Sequence, residues 1–103
     1  MAEDSFTQRG GITVADAFYR LEATWPFASI RVEESQLIIR APFKQWIIPK
    51  ESIRRLGKRG LLFRTGLDIQ HSIDAYSRII VFWAGRFARL KVELENRGYE
   101  LDF

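Results

Sequence analysis

The sequence predicts a mostly β domain of about seven short strands closed by one C-terminal helix. Short runs rich in isoleucine, valine, phenylalanine and tryptophan alternate with glycine, proline or charged turns, which is typical of an antiparallel meander or small barrel. Over 86–97 the apolar spacing changes to three and four residues, which indicates an amphipathic helix. We therefore expect a bent antiparallel sandwich or barrel with this helix over one open end.

The composition indicates a single globular domain. The chain has 103 residues, of which 47% are apolar and 28% charged. Residues 1–11 are polar and end in two glycines, so we expect a flexible tail there and one domain over 12–103. The sequence contains no cysteine and no apolar leader, which favours a cytoplasmic protein, either free or peripheral at a membrane.

The N-terminal part of the domain has an apolar pattern that favours a short helix over 13–23. Val14, Phe18, Leu21 and Trp25 follow one another at spacings of four, three and four residues. A strand through 17–21 is the alternative interpretation of the same residues. Pro26 then disfavours helical geometry at Trp25, so the helix is expected to end before it.

The rest of the chain reads as strands between short turns. Turns are expected at the acidic segment 33–35 and at the glycine-bounded segment 57–60. The predicted strands are 27–32, 37–40, 45–48, 53–56, 61–64, 67–71 and 78–83.

The final helix carries its apolar stripe on Phe87, Leu90 and Leu94. Gly98 lies where a left-handed residue ends many helices, and Tyr99 is placed to pack back on Leu94. This helix is expected to plug the open end of the curled sheet.

The order of these elements resembles the bacterial pleckstrin-homology-like domains, a group that includes GRAM-like domains. The resemblance covers about three quarters of the chain, from Trp25 to Tyr99. The segments that carry it are Trp25-Pro26-Phe27-Ala28, Leu37-Ile38-Ile39-Arg40, Ile47-Ile48-Pro49 with Ile53, Gly66-Leu67-Asp68-Ile69-Gln70-His71 and Ile80-Val81-Phe82-Trp83.

The resemblance implies a seven-stranded bent sandwich capped by the C-terminal helix, and no enzymatic activity. Eukaryotic relatives bind lipid through a basic turn between the first two strands. The corresponding predicted turn here, 33–35, is acidic and departs from that pattern, so phosphoinositide recognition of that kind is not expected.

The residues offer no catalytic group, resident metal or cofactor site. The only histidine, His71, is flanked by Asp68 and Asp74, but a hydrogen-bonded histidine at a strand end explains it more simply than a metal ligand. Ser72 is its neighbour along a strand, and neighbouring strand residues point to opposite faces. The sequence therefore predicts a protein that is not an enzyme and has no small-molecule substrate.

A basic run is the clearest surface feature. It consists of Arg54, Arg55, Lys58, Arg59 and Arg64, in a chain whose net charge is +3. On a hairpin these cations would form one patch for an anionic surface, either membrane phospholipid or nucleic acid. Only Phe63 interleaves an aromatic ring, which makes nucleic acid the weaker of the two. A solvated hairpin is the alternative.

Several predicted strands are apolar on both faces, so the sequence marks neither face of the sheet as solvent-exposed. Ile38 and Ile80 belong to runs that are apolar at successive positions, whereas a sheet with one solvated face should alternate. The helix over 13–23, a second copy or a protein partner would have to cover the surplus face. We therefore expect a binding or assembly module that associates with a protein or with itself, with Ile38 and Ile80 at the interface. Electrostatic binding through the basic hairpin is the alternative function.

Overall fold

The computed structural model describes residues 4–103 and is mostly β, with seven antiparallel strands curled into a half-barrel and one C-terminal helix. The strands follow one another across the sheet in the order β4-β3-β2-β1-β7-β6-β5. The elements are β1 (Phe6–Ala15), β2 (Arg20–Val32), β3 (Gln36–Ala41), β4 (Lys44–Pro49), β5 (Ile53–Leu61), β6 (Arg64–His71), β7 (Ile79–Ala84) and α1 (Phe87–Asn96), with a single 3₁₀ turn at Lys50–Ser52. The predicted mostly β class and the final helix are confirmed.

Strand β1 lies at the centre of the sheet and pairs with both β2 and β7. Its two consecutive glycines allow close backbone approach on both sides. A Cβ atom on Gly10 would lie 2.2 Å from the carbonyl oxygen of Trp83, and one on Gly11 would lie 2.8 Å from that of Ala23. Any side chain at Gly10 would therefore force β1 and β7 apart.

The pairing between β1 and β2 is interrupted opposite these glycines. Gly10 pairs with Ala28 and Ile12 pairs with Ala23, so a single residue of β1 faces the four residues 24–27 of β2. The surplus residues leave the ladder as a large bulge. Trp25 lies in this bulge, and its side chain is 65% exposed. The bond between Trp25 and Pro26 is cis.

Helix α1 seals the inner face of the curled sheet. Leu90 and Leu94 are fully buried, and Phe87 packs against the same cluster. Full burial of one such leucine stabilises the fold by up to about 2–3 kcal/mol. The strand residues of this core include Ile12, Val14, Ile30, Leu37, Ile39, Trp46, Ile48, Leu67, Ile69, Ile80 and Phe82.

The end of the helix follows the predicted capping pattern. Gly98 has a φ of 82°, and the Tyr99 amide donates to the carbonyl of Leu94 at 3.1 Å. The Tyr99 hydroxyl donates to the Glu33 carbonyl at 2.6 Å, and burial raises the pKa of this phenol. The cap therefore ties the helix to the turn between β2 and β3.

Arg97 joins the helix to the N-terminal segment. Its buried guanidinium contacts the Glu93 carboxylate at 2.6 Å and the Asp4 carboxylate at 3.0 Å. Hydrogen bonds from Arg97 and Arg89 hold the pKa of Glu93 below its usual range.

Over residues 4–103, no helix is long and apolar enough to span a bilayer.

Two predictions for the N-terminal part are wrong. Residues 13–23 form no helix, because Val14 and Leu21 lie opposite each other on paired strands and Phe18 lies in the turn between them. A hairpin thus reproduces an apolar spacing that a helix would also give. Residues 6–11 are not a tail but belong to β1, where Phe6 pairs with Val32; residues 1–3 lie outside the described residues.

The predicted turn at 57–60 is also wrong. These residues continue β5, and Gly57 pairs with Asp68 of β6. The chain turns instead at 62–63, where the strand over 61–64 was expected. Glycine pairs are typical of turns, but Gly57 lies within the β5–β6 ladder, where an added Cβ would be 3.1 Å from the Arg55 guanidinium.

We expect Gly10→Ala to lower the free energy of unfolding by about 3 kcal/mol, because the new methyl group would overlap the Trp83 carbonyl. The matched control is Gly60→Ala, where an added Cβ meets no atom within 4 Å; its effect should stay within about 1 kcal/mol. Urea unfolding monitored by tryptophan fluorescence measures both. Equal effects of the two substitutions would contradict the steric role of Gly10.

Candidate functional site

The predicted basic run is divided by the structure. Arg55 forms an ion pair with Asp102, so the C-terminal segment partly neutralises it. Arg54 and Arg55 line a small cavity of about 250 Å³ together with Lys50 and Tyr99. This cavity lies beside the end of α1, away from the turn between β5 and β6.

The remaining cations of the run point to different faces of the sheet. Lys58 lies on the inner side, with its ammonium 5.7 Å from the centre of the Phe87 ring. Arg59 lies on the outer side and contacts the Asp68 carboxylate at 3.0 Å. Arg64 also lies on the outer side, where its guanidinium packs over the ring of Trp83. The five cations therefore do not all lie on one face of the sheet.

The two predicted interface residues are buried, so their assignment to an interface is corrected. Ile80 belongs to the inner core and is fully buried. Ile38 lies on the outer face between Arg31 of β2 and Ile47 of β4, and it is only 9% exposed. Ile38 is thus covered by side chains of the same chain, without a second helix.

The edges of the sheet are also covered. On β4, the Ile47 amide points outward and donates to the Tyr76 hydroxyl at 3.1 Å, while Pro49 has no amide hydrogen. On β5, the Leu56 carbonyl accepts a hydrogen bond from the Asp102 amide at 2.8 Å. Such features block the addition of a strand from another chain.

His71 is held by local hydrogen bonds. Its Nε2 lies 2.8 Å from the Ser77 carbonyl, and its Nδ1 accepts the Ile73 amide at 3.0 Å. The amide can only donate, so Nδ1 is the acceptor and Nε2 carries the proton. Among residues 4–103 no group of three or more His, Asp or Glu side chains is placed to hold a metal ion.

A concavity lies on the outer face of the sheet. It is a groove of about 600 Å³, which we call the Trp25 groove. Trp25 in the β2 bulge and Phe63 in the turn between β5 and β6 line it, and Gly11, Ala84 and Gly85 contribute small surfaces. Its volume is typical of pockets that bind ligands or short segments.

Trp83 is fixed within the Trp25 groove by three contacts. Its Nε1 donates to the Thr13 hydroxyl at 2.9 Å. The ring packs over Gly66, where an added Cβ would lie 2.8 Å from it. The guanidinium carbon of Arg64 lies 4.0 Å from the ring centre. Arg64 is therefore held over the Trp83 ring by a cation–π contact.

Three exposed arginines line the Trp25 groove: Arg9, Arg64 and Arg86. The side chain of Gln8 positions the last of these: it donates to the Arg86 carbonyl at 3.1 Å and accepts the Arg86 amide at 3.2 Å. These two hydrogen bonds fix the junction between β7 and α1. The cations therefore project from an ordered backbone.

None of the described residues that line the Trp25 groove bears a carboxylate. Glu22 and Asp68, which lie on the same outer face, are paired with Arg20 and Arg59. The local charge is thus positive, and an anion in the groove would meet no competing carboxylate on its walls.

Two further aromatic residues project at the tips of other hairpins. Phe18 and Phe43 are essentially fully exposed. Their neighbours Tyr19 and Lys44 are in contact, with the ammonium 5.2 Å from the ring centre, so the two tips lie side by side. In the turn that carries Phe18, hydrogen bonds from the Phe18 amide and the Ser77 hydroxyl to the Asp16 carboxylate lower the pKa of Asp16.

Sequence reasoning identified Arg64 and Phe63 but missed the Trp25 groove, because its residues come from four segments far apart in the chain. The available signal was the Gly10-Gly11 pair together with Trp25-Pro26, which marks a strand bend beside an exposed aromatic residue.

The chain matches no family model, no curated protein and no solved structure in the comparisons made.

Because both outer edges are covered, we expect the protein to remain monomeric in light scattering at millimolar concentration. Replacing the β4 edge features with Pro49→Ala and Tyr76→Phe together should raise the apparent mass, since two outward amides become available for strand pairing. A wild-type dimer that the double variant leaves unchanged would contradict the edge analysis.

Proposed function

We propose that this chain is a non-catalytic protein-binding module of the pleckstrin-homology-like kind, and that its partner docks in the Trp25 groove. Seven antiparallel strands followed by a single helix support this kinship, since the resemblance implies that order. Fold alone carries no function, so the proposal depends on the groove.

The observation that carries the proposal is the composition of the Trp25 groove. Trp25 is 65% exposed and Phe63 is 98% exposed, beside three arginines. Tryptophan, phenylalanine and arginine are enriched in protein interfaces, and tryptophan and arginine dominate their binding energy. An exposed tryptophan in a concave site loses much water-accessible apolar area when a partner covers it.

The other routes considered from the sequence receive less support. Self-assembly through a strand edge would have to displace Tyr76 or the C-terminal segment. Binding of an anionic surface by the basic hairpin receives less support because Lys58 and Arg59 lie on opposite faces and Arg55 and Arg59 are paired with carboxylates. The Trp25 groove needs no rearrangement of this kind.

The test is selection of displayed random peptides on the immobilised wild-type protein. We expect enrichment on the wild type, and loss of the selected peptides from Trp25→Ala and Phe63→Ala, because each removes a wall of the groove. The weakening should be at least about tenfold, corresponding to a modest hot spot.

The matched control is Phe18→Ala, which removes an equally exposed phenylalanine from another hairpin tip. It should retain the selected peptides with unchanged affinity. Absence of enrichment, or equal loss from Phe18→Ala and Phe63→Ala, would exclude the groove as the docking site.

A further inference from the structure

We infer that the Trp25 groove recognises an extended peptide segment in which an anionic side chain lies next to an apolar one, with the anion bound by Arg64. This inference rests on the proposed function and specifies the chemistry of the partner. Three features of the groove support it: its charge, the geometry of Arg64 and the position of its aromatic rings.

The charge of the groove selects an anion. Arg9, Arg64 and Arg86 line the same concavity, and none of its described lining residues is acidic. A partner with a carboxylate or phosphate would neutralise this excess, whereas a basic segment would be repelled. Charge complementarity therefore requires the group bound beside these arginines to be negatively charged.

Arg64 is already held in place for this role. The guanidinium carbon of Arg64 lies 4.0 Å from the centre of the Trp83 ring, and this cation–π contact restrains the side chain within the groove. A planar fork of donors matches a carboxylate or phosphate with two parallel hydrogen bonds. Little side-chain entropy is lost on binding, because the stack restrains Arg64 before the ligand arrives.

The aromatic rings favour a peptide over single-stranded nucleic acid. Nucleic-acid platforms stack successive bases on open aromatic faces along a cationic track. In the groove one face of Trp83 is already taken by Arg64. Trp25 and Phe63 remain open, and they lie on opposite sides of the β1–β7 pair, one in the β2 bulge and the other in the turn between β5 and β6. Two separate rings suit an apolar side chain placed beside the anion.

The experiment measures fluorescence anisotropy of labelled peptides added to the full chain at low salt. The probe is a peptide of alternating glutamate and phenylalanine. Its counterparts replace every glutamate by glutamine, every phenylalanine by alanine, or every glutamate by phosphoserine. We expect the glutamate peptide to bind about tenfold or more tightly than the glutamine peptide, as for hydrogen bonds to a charged group.

The variants assign this preference to the groove. Arg64→Gln should abolish the preference for glutamate over glutamine, and Arg9→Gln should reduce it while leaving the stacked Arg64–Trp83 pair intact. Arg54→Gln is the matched control: it removes a cation of the same basic run that lines a different cavity, and the preference should persist. Urea unfolding of each variant reports whether the fold is retained.

Each outcome decides between the claims. Tighter binding of the phosphoserine peptide supports the inference with phosphate as the anion, and equal or weaker binding supports it with a carboxylate. Equal affinity for the glutamate and glutamine peptides, or no binding of either, overturns the inference; peptide selection that depends on Trp25 would then still uphold the proposed function. Tighter binding of a ten-nucleotide oligothymidine, lost in Trp25→Ala, overturns it in favour of nucleic acid.

Discussion

The backbone contact between β1 and its neighbours at Gly10 and Gly11 is the constraint on which the rest of the structure depends. Gly10 lies so close to the Trp83 carbonyl that a methyl group has no space there. At the same point the pairing of β1 with β2 is interrupted, and four residues of β2 are expelled as a bulge. The exposure of Trp25 therefore follows from the break in the β1–β2 ladder opposite these glycines.

The inner and outer faces of the curled sheet are covered in different ways. On the inside, the strands and α1 bury Leu90, Leu94 and the strand core together. On the outside, Trp83 covers Gly66 and is itself covered by Arg64. Exposed aromatic residues remain where the ladder is broken or turns, at Trp25 and at the hairpin tips.

The strand core and final helix could be predicted because their signals are local. The stripe of Phe87, Leu90 and Leu94 and the Gly98 cap each follow from a few neighbouring residues. The N-terminal hairpin could not, because a pair of opposed residues, Val14 and Leu21, has the sequence separation expected along a helix. Only tertiary pairing distinguishes the two.

The site was harder to predict than the fold for a related reason. The sequence identifies Arg64 and Phe63 as members of a hairpin, but Trp25 and Trp83, which line the same groove, lie on strands distant in sequence. The lack of alternation also misled the interface prediction, because Ile80 lies in the inner core and Ile38 is covered on the outer face by side chains of the same chain.

The most direct test of the central claim is a two-dimensional nitrogen–proton NMR titration of the labelled full chain with the alternating glutamate–phenylalanine peptide. Its three tryptophan indole signals report on separate places: Trp25 and Trp83 in the groove, and Trp46 in the buried core. The account predicts that the first two signals shift in step with peptide concentration while the signal of Trp46 remains unchanged. Shifts confined to residues outside the groove, with the indole signals of Trp25 and Trp83 unmoved, would contradict it.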